Sequence, residues 1–232
     1  MKPQSRDIIL SFDSAGKSIS VAVANLNGQL LFEHFEELRF GHAARLMPAI
    51  DQTLSLAGVT YKDLALIATT RGPGGFTGLR VGLATAKTLA QALSIPVLGV
   101  SSFDVNLASM SPKQAPDRKR LVIIDSHRND LYFQWFNVDG TPIGSPSISE
   151  VSAIKDRIEK ESPLVLGNGI ALFADWPLAQ EFKPDAPVNL ANSLASLVNE
   201  ASHLKPLPEL PTDFSCEPIY LRSADVTLTS KT

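Results

Sequence analysis

The stretch that decides the fold is residues 8–28, IILSFDSAGKSISVAVANLNG, because its plan returns at residues 120–140, RLVIIDSHRNDLYFQWFNVDG. Each stretch is typical of a buried strand, an Asp-Ser turn, a second strand and an Asn-x-x-Gly turn. Four pairs of residues share one offset of 112 positions without a gap: Asp13 and Asp125, Ser14 and Ser126, Asn25 and Asn137, and Gly28 and Gly140. The repeat predicts an internal duplication, with two lobes that open with the same unit.

The segments that follow predict an α/β protein with mixed sheets flanked by helices. In the first half the predicted elements are strands at 8–12, 18–24, 29–37, 64–69 and 97–101 and helices at 41–57 and 79–93, in the order βββαβαβ. In the second half they are strands at 121–124, 131–136 and 163–169, helices at 152–161 and 194–204, and a docked segment at 218–222. A polar, proline-bearing connector at 111–120 separates the halves, so we predict lobes at residues 1–110 and 111–232, the second with an extended C-terminal segment.

Composition narrows the functional classes. Hydrophobic residues make up 44% of the 232 residues and charged residues 19%, as in a globular protein. The 21 Lys and Arg against 24 Asp and Glu give a net charge of -3, which argues against a strongly basic nucleic-acid surface. The one cysteine, Cys216, excludes an internal disulfide, and no apolar run approaches the ~20 residues of a membrane span. We therefore expect a cytoplasmic protein without a membrane partner.

A glycine-rich loop lies between a predicted strand and a predicted helix. Its glycines are Gly72, Gly74, Gly75 and Gly78. Backbone amides at the start of that helix could bind an anion, and Thr77 could cap the helix. Alternatively, the glycines permit a tight turn and close packing. The loop departs from a P-loop, because Gly78 is followed by Leu79 and Arg80 instead of Lys and Ser or Thr.

Asp13 and Asp125 each follow an apolar strand. Across the cleft of a two-lobed protein, such carboxylates could hold a Mg²⁺-nucleotide. Alternatively, each aspartate only starts a turn through bonds from its side chain to the backbone. The four histidines show no His-x-x-x-His spacing, so no metal site and no metalloprotease is predicted.

The two helices of the first half are apolar beyond one stripe. The second carries small residues, Gly82, Ala84, Ala86, Ala90 and Ala92, beside Leu83, Leu89 and Leu93. Such a helix is usually buried on more than one side. One side would cover the sheet, and the other could meet a partner or another part of the same chain.

These motifs resemble the bacterial TsaB family, also called YeaZ. The resemblance rests on residues 71–82, RGPGGFTGLRVG, on the Asp13 strand, on His42 with Leu46 and Pro48, on residues 125–132, and on residues 217–222, EPIYLR. It covers nearly the whole chain and is weakest over 150–212. Gly75 stands where serine is commoner.

The resemblance implies a duplicated actin/Hsp70-like fold and a non-catalytic subunit. Such a subunit works in tRNA threonylcarbamoyladenosine synthesis beside a TsaD-type transferase and a TsaE-type ATPase, and it touches tRNA only indirectly or weakly. Members also form homodimers through the face that meets the transferase. On this sequence that face is His42, Leu46, Met47, Ile50, Arg80, Leu83, Ala86, Lys87 and Ala90. No cofactor of its own is implied, although ATP or ADP with Mg²⁺ could bind at the partner interface.

Two functional hypotheses follow. The first is the accessory subunit, for which a charge at Ala86 should break the interface. The second is an ATP-binding phosphotransferase or ATPase that uses Asp13, Asp125 and the loop at 72–78. The monomeric or dimeric state stays open.

Overall fold

The computed structural model describes residues 6–109, 117–173, 189–204 and 216–222. The strands are β1 Ile8–Asp13, β2 Ser18–Asn25, β3 Leu30–Glu37, β4 Leu64–Thr70, β5 Val97–Val100, β6 Arg120–Asp125, β7 Asp130–Phe136, β8 Pro142–Glu150 and β9 Leu164–Leu166. The helices are α1 His42–Leu56, α2 Phe76–Leu93, α3 Ser102–Ala108, α4 Val151–Glu161 and α5 Leu190–Leu204, with short 3-10 turns at Tyr61–Asp63 and Asn168–Phe173. Over these residues, no helix has the length and apolar character needed to cross a bilayer.

The first sheet has the order β3-β2-β1-β4-β5, with β1, β4 and β5 parallel and the two hairpins antiparallel. The helices α1 and α2 cover one face, where Ile50 and Ala86 pack against Leu10. On the other face, Leu194 of α5 packs against Ile9. The alternation of apolar side chains along β1 therefore fills two cores, one on each side of the sheet.

The second sheet repeats the order of the first, as β8-β7-β6-β9 against β3-β2-β1-β4. The turns repeat as well. The amide of Gly28 donates to the Asn25 carbonyl at 3.0 Å, and that of Gly140 donates to the Asn137 carbonyl at 3.0 Å. Both glycines have left-handed φ values, +88° and +86°. The predicted duplication is confirmed, and so is the mixed α/β fold.

The two sheets are joined by elements that belong to neither. The helix α3 places Val105 in the core of the first sheet and Phe103 in the core of the second. The helix α5 follows the second sheet in the chain but packs on the first. The boundary between residues 110 and 111 stays a prediction, and residues 110–116 of the connector lie outside the described ranges.

The main differences from the sequence prediction concern four elements. The helix α5 begins at Leu190, four residues earlier than predicted. The strand β8, with Gly144 and Pro146, and the seven-residue α3 were not predicted. The helix α2 begins at Phe76, three residues earlier than predicted, and Gly75 is its N-cap without a side-chain bond. Thr77 lies inside the helix, so its predicted capping role is wrong.

The glycine loop packs directly on the turn that follows β1. The Gly75 amide donates to the Ala15 carbonyl at 2.6 Å, and the Ser14 hydroxyl donates to the Gly78 carbonyl at 2.9 Å. A Cβ at Gly78 would come within 1.9 Å of the Ser14 carbonyl oxygen, and one at Gly74 within 2.8 Å of the Ala15 carbonyl oxygen. Close packing therefore accounts for these glycines without a ligand.

We expect Gly78→Ala to lower the free energy of unfolding by about 2–3 kcal/mol, because the methyl group collides with backbone that cannot rotate away. Chemical denaturation with urea measures it. Gly16→Ala is the matched control, since a Cβ there meets only Asn168 Nδ2 at 3.7 Å and Ser18 Oγ at 3.9 Å. Equal stability of the two variants would contradict the packing argument.

Candidate functional site

The Asp13 carboxyl group is almost fully buried at the end of β1, with 2% of the residue exposed. It accepts hydrogen bonds from the Thr70 hydroxyl and from the Ala15 amide, the latter at 3.3 Å. Burial raises the pKa of Asp13 above its ordinary value, and the hydrogen bonds from Thr70 and Ala15 oppose that rise. Thr70 ends the parallel neighbour β4, where carboxyl ends meet at one edge of the sheet. That strand order was the signal that could have found Thr70.

Asp125 occupies the position equivalent to Asp13 in the second repeat, but its pKa is shifted in the opposite direction. Its carboxylate accepts from the His127 amide at 2.7 Å, and its Oδ2 contacts His127 Nδ1 at 3.2 Å and Lys17 Nζ at 3.0 Å. The bonds from His127, together with Lys17, hold the pKa of Asp125 well below its ordinary value despite partial burial. Since Lys17 belongs to the turn after β1, this ion pair joins the two repeated turns. Neither Lys17 nor His127 is among the residues that the sequence predicts for the site.

Both aspartates already have hydrogen-bond partners within the chain. In the ranges that the structure describes, no group of three or more His, Cys, Asp or Glu side chains is placed to hold a metal. A cation at Asp125 would have to displace the Lys17 ammonium group from Oδ2. Asp13 directs Oδ1 to Thr70 and Ala15. Nucleotide binding at these aspartates stays a prediction.

A cleft of about 290 Å³ lies beside the glycine loop, where three parts of the chain meet. It is lined by Pro73, Gly74, Phe76, Ser126, Arg128, Tyr132, Ile219, Tyr220, Leu221 and Arg222. Neither Asp13 nor Asp125 lines it. An anion bound at the loop would therefore meet arginine and tyrosine side chains instead of the predicted carboxylates.

Five of the nine residues predicted for the partner interface face the interior of this chain. Leu46, Ile50, Ala86 and Ala90 belong to the core under the first sheet, and Leu83 packs in a second cluster. These side chains are at most 6% exposed, so a partner cannot reach them. The two helices lie where the sequence predicts them, but these five residues, assigned to the partner face from the family resemblance, lie on the core-facing sides. A charge at Ala86 would accordingly unfold this chain instead of testing an interface.

The other four predicted residues are accessible, and they lie with small and apolar neighbours on the outer sides of α1 and α2. We call this surface the helical face, defined by the exposed residues Ala43, Ala44, Met47 and Pro48 of α1 and Arg80, Ala84, Lys87 and Thr88 of α2. Half-buried His42 stands behind it, with its Nε2 at 3.1 Å from the Gly16 carbonyl oxygen. This histidine fixes the start of α1 against the first turn.

The second apolar side of α2 is covered by the chain itself. The C-terminal segment, residues 216–222, places buried Cys216 against Ala15, Leu79 and Leu83. Its Ile219 amide donates to the Arg71 carbonyl at 2.7 Å, and Arg222 pairs with Asp130 of β7. The predicted docking of residues 218–222 is confirmed. Burial raises the pKa of the Cys216 thiol to about 11, so the thiol stays protonated at neutral pH.

We expect Asp13→Asn to be at least as stable as the wild type at pH 7, because asparagine keeps the acceptor for Thr70 and Ala15 without a buried charge. A raised pKa contributes stability that is present below the unfolded value of about 3.9 and is lost as pH rises through the folded pKa. The advantage of the variant should therefore shrink as pH falls towards 4, in urea titrations across pH 4–8.

Asp139→Asn serves as the control of opposite sign, because hydrogen bonds from Thr141 hold the pKa of this exposed carboxylate below its ordinary value. A clear loss of stability for Asp13→Asn at pH 7 would show that the Asp13 charge is favourable in the folded chain.

Comparison with known proteins places this arrangement in a family. The family model described as "TsaD: tRNA N6-adenosine threonylcarbamoyltransferase" matches residues 36–174. The chain is 26% identical to the tRNA threonylcarbamoyladenosine biosynthesis protein TsaB of Escherichia coli K12, over 93% of this chain and 94% of that protein. It is 30% identical to an uncharacterised protein of Mycobacterium tuberculosis H37Rv, over 94% of this chain and 92% of that one.

The solved structures agree. A Pseudomonas aeruginosa protein, described as similar to peptidase YeaZ, superposes with a TM-score of 0.72 at 25% identity, covering 93% of this chain and all of that one. The described residues from β1 to α5 thus form the two-lobed actin-like architecture that the repeat predicts. From its sequence, its fold and these relatives, the chain belongs to the TsaB family, also called YeaZ.

Proposed function

We propose that this chain is the accessory subunit of a tRNA threonylcarbamoyladenosine synthase, without catalysis of its own. It pairs with a TsaD-type threonylcarbamoyl transferase, and a TsaE-type ATPase joins the pair. It meets tRNA only through these partners or weakly.

One observation carries the proposal. The E. coli protein named for threonylcarbamoyladenosine biosynthesis aligns with this chain over nearly the full length of both, 93% and 94%. A single shared motif would support only a shared fold, whereas an alignment of this coverage extends over both halves of the chain.

The geometry supports an accessory role in two ways. Asp125 is already neutralised by Lys17, and Asp13 is enclosed by β4 and the first turn. The helical face, in contrast, is accessible and contains Ala43, Ala44 and Ala84, whose small side chains let another helix approach closely. We extend the proposal to homodimers of the isolated chain through the same face. Any ATP or ADP with Mg²⁺ would bind between this chain and its partner instead of inside it.

Reconstitution tests the function directly. tRNA, threonylcarbamoyl-adenylate, the transferase and the ATPase are combined with and without this chain, and modified adenosines are counted by mass spectrometry of digested tRNA. We expect modification to require the chain, and the chain alone to neither modify tRNA nor hydrolyse Mg-ATP. Modification that proceeds equally without the chain would overturn the role. Mg-ATP turnover by the chain alone, lost in Asp125→Asn, would favour the phosphotransferase or ATPase hypothesis.

We expect Ala84→Glu to weaken the complex with the transferase at least tenfold while the free chain keeps its melting temperature. Ala84 is exposed on the helical face, and a partner would bury the new carboxylate without a counter-charge. Light scattering and calorimetric titration measure it.

Ala153→Glu, at an exposed alanine of α4 on the other lobe, is the matched control. Equal affinities for the two variants would place the interface elsewhere.

A further inference from the structure

An arginine on the helical face stacks on one aromatic ring and is hydrogen-bonded to a second. The Arg80 guanidinium carbon lies 3.6 Å from the centroid of the Phe76 ring, and Arg80 Nε donates to the Tyr220 hydroxyl at 3.0 Å. The two ring centroids are 5.5 Å apart. We call these three side chains the arginine clamp. It joins the first turn of α2 to the C-terminal segment.

The clamp leaves the outer end of the guanidinium group available. Within the described ranges, the bond of Nε to Tyr220 is the hydrogen bond that Arg80 makes, and neither Nη nitrogen has an acceptor. Phe76 and Tyr220 stay partly accessible, at 46% and 44%. A fork with two parallel donors matches a carboxylate or a phosphate in a bidentate pair. Since stacking already fixes the side chain, little further rotamer entropy is lost when an acceptor arrives.

The surroundings favour a protein carboxylate over RNA phosphates. The neighbouring cation Lys87 is paired with Glu217 at 3.2 Å, and Arg222 is paired with Asp130. Within the described residues, both of these cations are therefore already paired with a carboxylate. Binding to an RNA backbone draws on several unpaired cations at once, whereas one fork framed by aromatic rings is the arrangement of a protein interface hot spot.

The acceptor does not come readily from a second copy of this chain. The helix α2 contains no acidic residue, and α1 contains one, Asp51. The Tyr61 hydroxyl already donates to Asp51 at 2.6 Å. Beside these helices, Glu217 of the C-terminal segment is paired with Lys87. From these described elements, a two-fold dimer through the helical face would therefore offer the Arg80 forks carboxylates that already have a partner.

We propose that Arg80, clamped by Phe76 and Tyr220, is the specificity-determining contact with the catalytic partner subunit, and that it pairs with an aspartate or glutamate exposed beside an apolar patch on that subunit. This inference rests on the proposed function and adds the chemistry that distinguishes the partner from a second copy. The C-terminal segment thereby becomes part of the interface, because Tyr220 fixes the arginine.

The experiment is a calorimetric titration of the full chain with the catalytic subunit. Arg80→Lys keeps the charge and removes the fork, so we expect its affinity to fall at least tenfold. Tyr220→Phe keeps the ring and removes the acceptor of Nε, so its loss should be smaller. The matched control is Arg157→Lys on α4, where an arginine stacks 4.2 Å from the Trp135 centroid far from the helical face. Homodimer formation, followed by light scattering, should be unchanged in Arg80→Lys.

The outcomes separate the two proposals. If the wild-type chain does not bind the catalytic subunit, the proposed function fails and takes this inference with it. If the wild type binds and Arg80→Lys binds equally well, only the arginine clamp is overturned. If Arg80→Lys weakened the homodimer equally, the Arg80 fork would pair with a second copy of this chain. If the variant lost only the salt-sensitive binding of tRNA, the fork would bind RNA. Either result would also overturn the inference.

Discussion

The close approach of α2 to the turn after β1 is the constraint on which the rest of the structure depends. Gly78 leaves room for the Ser14 carbonyl, and the Ser14 hydroxyl returns a hydrogen bond to Gly78. This contact brings the start of α2 onto the edge of the sheet where Asp13 is buried. It also commits the Gly75 amide to a protein carbonyl. The same glycines that suggest an anion-binding loop in sequence thus act here as spacers between two pieces of backbone.

The two repeats share one sequence pattern, but their aspartates differ in the direction of their pKa shifts. Asp13 and Asp125 occupy equivalent positions, yet the pKa of one is raised and that of the other is lowered. The difference arises because Asp13 is fully buried, whereas Asp125 is hydrogen-bonded by His127, where the first repeat has Ala15. Lys17 of the first turn also reaches Asp125, and position 129, its equivalent in the repeat, is an asparagine. Duplication preserved the strand order, and the contact between the turns gave the aspartates separate environments. The environments of the two aspartates therefore cannot be derived from either lobe alone.

Much of the fold could be predicted because its signals are local. The Asn-x-x-Gly turns need left-handed glycines, and both repeats supply them. The strand β8 was not predicted because Gly144 and Pro146 interrupt its alternation of polar and apolar residues. The helix α3 was not predicted because its seven residues form too few turns for a periodic pattern. The partners of the aspartates, Lys17 and Thr70, depend on contacts between distant segments, which spacing does not encode.

Apolar periodicity in the sequence does not by itself locate the candidate interface. An apolar stripe marks the side of a helix that is removed from water, but it does not say what removes it. On α2 one stripe faces the sheet through Ala86, and a second is covered by Cys216 of the C-terminal segment. Among the described residues, the third side of α2, with exposed Ala84 and Arg80, is the one left open to another molecule. The residues that we propose for partner binding therefore form no apolar pattern in the sequence. They can be identified only after the contacts within the chain are known.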